Sequence, residues 1–124
     1  MSAYKNILIT KKGETCHISL NRPKKLNALS STTLKEISNA CEEIALNKKI
    51  KIVVISSTSE NFSAGADLTE ISKTKTIEDY WHENSGKNCI NSILNLPQIS
   101  ICLIEGYCLG GGAVIASACD FRLA

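Results

Sequence analysis

Two stretches of this chain combine small residues in a way that bares backbone N–H groups. One is Gly106-Tyr-Cys-Leu-Gly-Gly-Gly112, the other Phe62-Ser-Ala-Gly-Ala-Asp67. Three glycines at a helix entrance strip side chains from the main chain, so a ligand atom can come close to the N–H groups there. Each stretch follows an apolar, β-branched run, residues 99–104 and 50–56. In α/β folds, ligands gather beyond the carboxyl ends of parallel strands. If those two strands are neighbours, both loops can aim an N–H at one oxygen atom, which is the geometry of an oxyanion hole. A tight turn with close helix–sheet packing is the plainer meaning of a glycine triplet alone. A second small-residue loop at an equivalent strand end argues for the chemical one. Other phosphate-cradling loops do not fit. No Lys-Ser or Lys-Thr follows the glycines, and Gly-x-Gly-x-x-Gly is absent.

Other chemistry is thinly represented. The cysteines, at positions 16, 41, 89, 102, 108 and 119, form no Cys-x-x-Cys pair and mostly sit among apolar residues. They read as buried thiols of a reducing, cytoplasmic compartment, with no metal-ligand spacing. Cys108 lies beside the glycines without a neighbouring base in sequence. His17 alternates with apolar residues, and His82 sits in a polar stretch; neither resembles a catalytic base.

Composition narrows the classes further. The net charge is +2, and basic residues occur only as scattered pairs such as Lys24-Lys25. With 5% aromatic residues there is no sign of a nucleic-acid surface. Secretory and membrane-spanning segments are not expected. A chain of 124 residues fits one small domain or part of a larger one.

The elements that would hold the loops follow from hydrophobic period and punctuation. Runs at 4–10 and 15–20 predict a hairpin with a loop of a few residues, ended by Pro23. Residues 24–29 read as loop. Ser30 or Ser31 caps a helix running to about residue 47, with Leu34, Ile37, Cys41 and Ile44 on one face. Residues 50–56 predict a buried strand and 67–71 a short helix. Ile77, Trp81, Cys89, Ile93 and Leu96 predict a longer helix ended by Pro97. A strand over 99–104, a helix over 111–118 and a strand-like 120–123 complete the order. Alternating apolar strands and helices predict an α/β fold with a mostly parallel sheet. The last helix is apolar nearly all round, so burial on every side is expected, and a chain ending at Ala124 is expected to leave an apolar patch and to associate.

These residues resemble the crotonase family, the enoyl-CoA hydratase/isomerase group. Leu20-Asn-Arg-Pro-Lys-Lys-Leu-Asn-Ala-Leu29 is similar to its N-terminal signature. Phe62-Ser-Ala-Gly-Ala-Asp-Leu68 is similar to its first oxyanion loop, and Ile104-Glu-Gly-Tyr-Cys-Leu-Gly-Gly-Gly112 with Ala118-Cys-Asp-Phe-Arg122 to its second. The likeness implies a crotonase-like spiral of ββα units, with residues 1–124 as the N-terminal portion of a single domain truncated before its C-terminal half. It implies trimers or hexamers for a full-length chain. It implies an acyl-CoA (enoyl-CoA) thioester as substrate, with coenzyme A part of that substrate and no separate cofactor, metal, nucleic-acid or membrane partner. Carried over, the N–H groups of Ala66 and Gly111 hold the thioester oxygen. Lys24, Leu26, Ala28, Ala64, Gly65, Asp67, Leu68 and Gly110 line the substrate or its coenzyme A portion. Lys24 offers charge to phosphate or is an exposed loop lysine. Asp67 caps the following helix, and Gly65, Gly110 and Gly112 give clearance. Asp120 and Arg122 are expected to be structural, as an ion pair.

The pattern also departs from the family. Hydration needs groups that position and activate water. The place of the family's first acid/base glutamate, two residues past the glycines, holds Val114, and the second belongs to a segment past Ala124. Thr69 stands where some relatives carry a lysine. The expectation is therefore an enoyl-CoA hydratase/isomerase-type enzyme that stabilises a thioester enolate. Isomerisation or other enolate chemistry stays open beside hydration. The alternative is a non-catalytic acyl-CoA binder or an inactive fragment.

Overall fold

A computed structural model of the chain describes residues 3–71, 76 and 86–124. Strands β1 (Ile7–Lys12) and β2 (Thr15–Leu20) form an antiparallel hairpin. The turn is the two residues Gly13 and Glu14, shorter than expected because pairing continues out to Lys12 opposite Thr15. Helix α1 (Ser31–Ala45) crosses to β3 (Ile52–Ser57), which lies parallel to β2. After the short α2 (Leu68–Ile71) come α3 (Gly86–Leu94), β4 (Ile99–Leu103), α4 (Gly111–Ala118) and β5 (Phe121–Leu123). The sheet order is β1-β2-β3-β4-β5, and every pair after the hairpin is parallel. The helix expected over 77–96 is seen as α3; Ile77, Trp81 and His82 lie outside the described residues.

The core follows from the two periods. Along β2, Cys16, Ile18 and Leu20 are buried. Strand register sets Cys16 beside Val53 and Ile18 beside Ile55, and carries Ile55 on to Cys102. Alternate strand residues share one face, so these side chains form one apolar surface. Leu34, Ile37, Cys41 and Ile44 of α1, Cys89 and Ile93 of α3, and Ile115 and Ala116 of α4 join it in one cluster.

Caps fix where α1 begins. The Ser30 hydroxyl accepts the Thr33 N–H at 3.2 Å. The Glu70 carboxylate, from α2, accepts the Ser31 N–H at 3.1 Å and its hydroxyl at 2.9 Å. A carboxylate at the positive end of a helix is stabilising, and this one docks α2, just past the first candidate loop, onto α1.

The opposite sheet face differs. Val54, Ile101 and Phe121 are register partners across it, as are Leu103 and Leu123. Ile99 is 49% exposed, Phe121 59% and Leu123 59%. Helix α4 is not buried on every side as expected. It sinks Gly112, Ile115 and Ala116 into the core and turns Val114 and Ser117 to solvent.

Candidate active site

Strands β3 and β4 are neighbours, so the two candidate loops emerge side by side. Backbone bonds continue beyond the strands and zip them together. Phe62 N–H donates to Glu105 O at 2.8 Å, Ser63 N–H to Tyr107 O at 2.8 Å, and Leu109 N–H to Ser63 O at 3.0 Å. The loop before α1 joins on the other side. Ala64 N–H donates to Leu26 O at 3.0 Å, Leu29 N–H to Gly65 O at 2.8 Å, and Asp67 N–H to Leu29 O at 3.3 Å. Segment 62–67 is thus the middle rung of a three-loop ladder, with parallel bridges Ser63–Cys108 and Leu29–Ala66.

That ladder leaves two donors over. In the Leu29–Ala66 bridge the bonds are made by Gly65 O and Asp67 N–H, so the N–H of Ala66 points the other way. The first N–H groups of a helix have no intrahelical acceptor. At the start of α4, Gly112 N–H turns back to Leu109 O at 2.8 Å and Val114 N–H bonds Gly110 O at 3.1 Å. Among the described residues neither Ala66 N–H nor Gly111 N–H has an acceptor.

The glycines act in different ways. Gly65 has φ +98, and a Cβ there would lie 2.9 Å from Leu109 O and 3.5 Å from Gly111 N. A side chain would therefore be strained and would crowd the Leu109 carbonyl and the Gly111 nitrogen. Gly112 packs against Ser63, where a Cβ would come within 2.9 Å of the serine Cβ. Gly110 differs from the clearance expected of it. Its added Cβ would meet only Gly65 Cα at 3.9 Å, and what requires glycine is φ 50, ψ −120 at the N-cap of α4.

The remaining predicted residues sort by position. Lys24 is exposed on the 3₁₀ turn Pro23–Lys25, where a plain loop was expected. Leu26 follows at φ 53, 43% exposed, and Ala28 O accepts Arg22 Nη1 at 3.0 Å. Ala64 and Ala66 are half-buried and Leu68 is 76% exposed. Asp67 caps α2 as expected, its Oδ1 accepting the Thr69 N–H at 2.9 Å, while its Oδ2 pairs with Arg22 Nη1 at 2.8 Å. Burial opposes ionisation of Asp67, but the Thr69 and Arg22 hydrogen bonds outweigh it and hold the carboxyl at about 2. Five cysteines are buried; Cys108 is half-buried, and burial pushes its thiol up, away from a reactive thiolate. Asp120 and Arg122 do not pair with each other. Asp120 Oδ2 accepts Ser100 N–H at 2.9 Å, and Arg122 Nη1 donates to Cys119 O at 3.0 Å near the end of α4. Among the described residues no three His, Cys, Asp or Glu converge as a metal site. No helix there is long and apolar enough to cross a membrane.

Asn27 had no role assigned from the sequence. It is 1% exposed with φ 53. Its Nδ2 reaches Ser57 Oγ at 2.7 Å, Asn61 O at 3.0 Å and Phe62 O at 2.9 Å, and its Oδ1 accepts Arg22 N–H at 2.7 Å. Asparagine is enriched among non-glycine residues in left-handed backbone, which is the one signal its sequence position offered.

Residues 10–124 match the model of the enoyl-CoA hydratase/isomerase family. The chain belongs to that family. Among its enoyl-CoA hydratase/isomerase relatives, the short-chain-enoyl-CoA hydratase of Clostridium acetobutylicum is 36% identical over 120 residues, covering 96% of this chain and 46% of that protein. The mitochondrial methylglutaconyl-CoA hydratase of Mus musculus is 39% identical over 108 residues, covering 86% of this chain and 34% of that one. A crystal structure of an enoyl-CoA hydratase/carnithine racemase from Magnetospirillum magneticum superposes with a TM-score of 0.88 at 26% identity, over 97% of this chain and 46% of that one. A crotonase-type structure from Legionella pneumophila gives 0.87 at 29% identity, over 98% and 48%. The chain thus has the crotonase fold of an enoyl-CoA hydratase/isomerase and spans about half the length of the relatives it matches. The matched range contains all three segments of the loop ladder.

Proposed function

We propose that this chain forms the oxyanion-stabilising part of an acyl-CoA enzyme. The N–H groups of Ala66 and Gly111 take the thioester oxygen between them. As a proton leaves or shifts along the acyl chain, negative charge grows on that oxygen, and both hydrogen bonds strengthen. Gly111 gains further from its place at the N-terminus of α4, where the helix dipole favours negative charge. Because the backbone supplies both donors, they are already oriented before reaction. The observation that carries this reading is the pair of acceptor-free N–H groups flanking Gly65 in a zipped loop ladder.

Lys24, Leu26, Ala28, Ala64, Gly65, Asp67, Leu68 and Gly110 border the thioester and its coenzyme A portion in this reading. Lys24 is free to swing toward phosphate from its exposed turn. Coenzyme A enters as part of the substrate. Val114, 43% exposed on the first turns of α4, cannot move a proton. Its place there favours one-base enolate chemistry, such as double-bond isomerisation, over hydration by two glutamates. Residues 1–124 would be one portion of a single domain, in a protein that works as a homotrimer or homohexamer. Six free cysteines suit a reducing cytoplasm.

Calorimetry with a saturated acyl-CoA and turnover of a panel of enoyl-CoA thioesters test the reading in the intact protein. Binding is expected, with isomerisation exceeding hydration. Absence of acyl-CoA binding would overturn it.

A further inference from the structure

We propose that Asn27 and Ser63 are positioning residues that set where the two oxyanion donors stand relative to each other. This rests on the oxyanion reading above. Ser63 is fully buried at the centre of the ladder. Its backbone bonds Tyr107 and Leu109 in the loop that leads to Gly111. Its hydroxyl accepts the Gly65 N–H at 3.0 Å, one residue before the Ala66 donor, and donates to Asn27 O at 2.9 Å. Its Cβ is the surface against which Gly112 packs, one residue after the Gly111 donor. A single side chain therefore touches the neighbours of both N–H groups.

Asn27 fixes that side chain from behind. Its carbonyl holds the Ser63 hydroxyl, and its amide holds the carbonyls of Asn61 and Phe62, the two residues that lead into Ser63. The Asn27 Oδ1 bond to Arg22 N–H closes the loop on itself. Leu26 and Asn27 are both left-handed, at φ 53 each. For a residue as bulky as leucine this conformation is uncommon, and it persists only where surroundings impose it. The polar network is buried, so each member lost leaves a partner unsatisfied rather than rehydrated. The network bears on geometry at the reacting oxygen because a displacement of about 1 Å costs roughly 100-fold in rate.

The test compares Ser63→Ala and Asn27→Gly, the latter keeping the left-handed backbone accessible, in the intact protein. The probe is an acyl-CoA thioester conjugated to an aromatic ring, whose absorbance moves to longer wavelength when its carbonyl is polarised. Titration gives affinity, the spectrum gives polarisation, and enoyl-CoA turnover gives kcat and KM. Expected for each folded variant is a red shift cut by at least half. Turnover kcat should fall about 10- to 100-fold, with KM changed less than about threefold. A merely structural role would lower the melting temperature and leave the bound spectrum alone; both variants keeping the native red shift and kcat overturns the proposal. If one variant does not fold, the other decides by the same criteria. A native protein that binds the probe with no red shift overturns the oxyanion reading, and this proposal with it.

Discussion

Gly65 packs against the start of α4 at Gly111: a methyl group on its Cα would lie 3.5 Å from the Gly111 nitrogen and 2.9 Å from the carbonyl oxygen of Leu109. The absence of a side chain at 65 and the close approach of Gly111 are thus one feature. Gly65→Ala is expected to be doubly unfavourable, because its φ of +98 is poor for alanine and, in the oxyanion reading proposed above, the methyl occupies the oxygen's approach. Enoyl-CoA kcat should fall about 100-fold, with a stability loss of about 1–3 kcal/mol in chemical denaturation. Full turnover in Gly65→Ala would mean that no substrate oxygen sits there.

Gly111→Pro removes the donor while leaving the fold its best chance. Gly111 is the first residue of α4, a position where proline is well tolerated because its missing N–H bonds nothing in the helix. Loss of one oxyanion donor costs about 2.7–4 kcal/mol of transition-state stabilisation, or roughly 100- to 1000-fold in kcat. The melting temperature should move little by comparison. Turnover surviving this change at near-native rate would remove Gly111 from the site.

The Arg22–Asp67 pair predicts an acid-side stability loss. The folded carboxyl titrates at about 2, below its ordinary value of 3.8. A depressed carboxylate stabilises the fold above its unfolded pKa, and that contribution fades as pH falls through the folded value. The side chain is 8% exposed, so the shift corresponds to about 2 kcal/mol at neutral pH. Urea denaturation at pH 7 should find Asp67→Asn less stable by about that amount. The gap between the two proteins should close between about pH 4 and pH 2. A constant gap across that window would show that Asp67 does not titrate as described.

The sheet and its loops were legible in sequence for identifiable reasons. Cys16, Ile18 and Leu20 alternate cleanly, Leu34, Ile37, Cys41 and Ile44 keep helical spacing, and Pro23 punctuates the hairpin. These are local patterns, and the elements they mark appear within a few residues of their expected bounds. The adjacency of the two small-residue loops was legible because each follows an apolar run, and β3 and β4 pair side by side. What sequence could not carry was long-range pairing. Glu70 reaches the start of α1, 39 positions away, and Asn27 reaches Phe62, 35 positions away. Asp120 and Arg122 look like an ion pair because opposite charges lie two apart. Asp120 lies just before β5 and Arg122 within it, and each finds backbone instead.

The uncovered sheet face gives the last prediction. Leu103, Phe121 and Leu123 are 38%, 59% and 59% exposed, and among the described residues no strand pairs with the outer edge of β5. Exposed apolar side chains beside an unpaired strand edge are a template for association. The 124-residue polypeptide, expressed by itself, is therefore expected to run larger than a monomer in light scattering, increasingly so with concentration. Phe121→Lys with Leu123→Lys puts charge on both the face and the edge without touching the buried cluster, so it should shift the population toward monomer. Both positions are exposed, and the cost to folding should stay within about 0.5 kcal/mol each. A wild-type polypeptide that remains monomeric at high concentration and unfolds cooperatively would show that this face needs no cover.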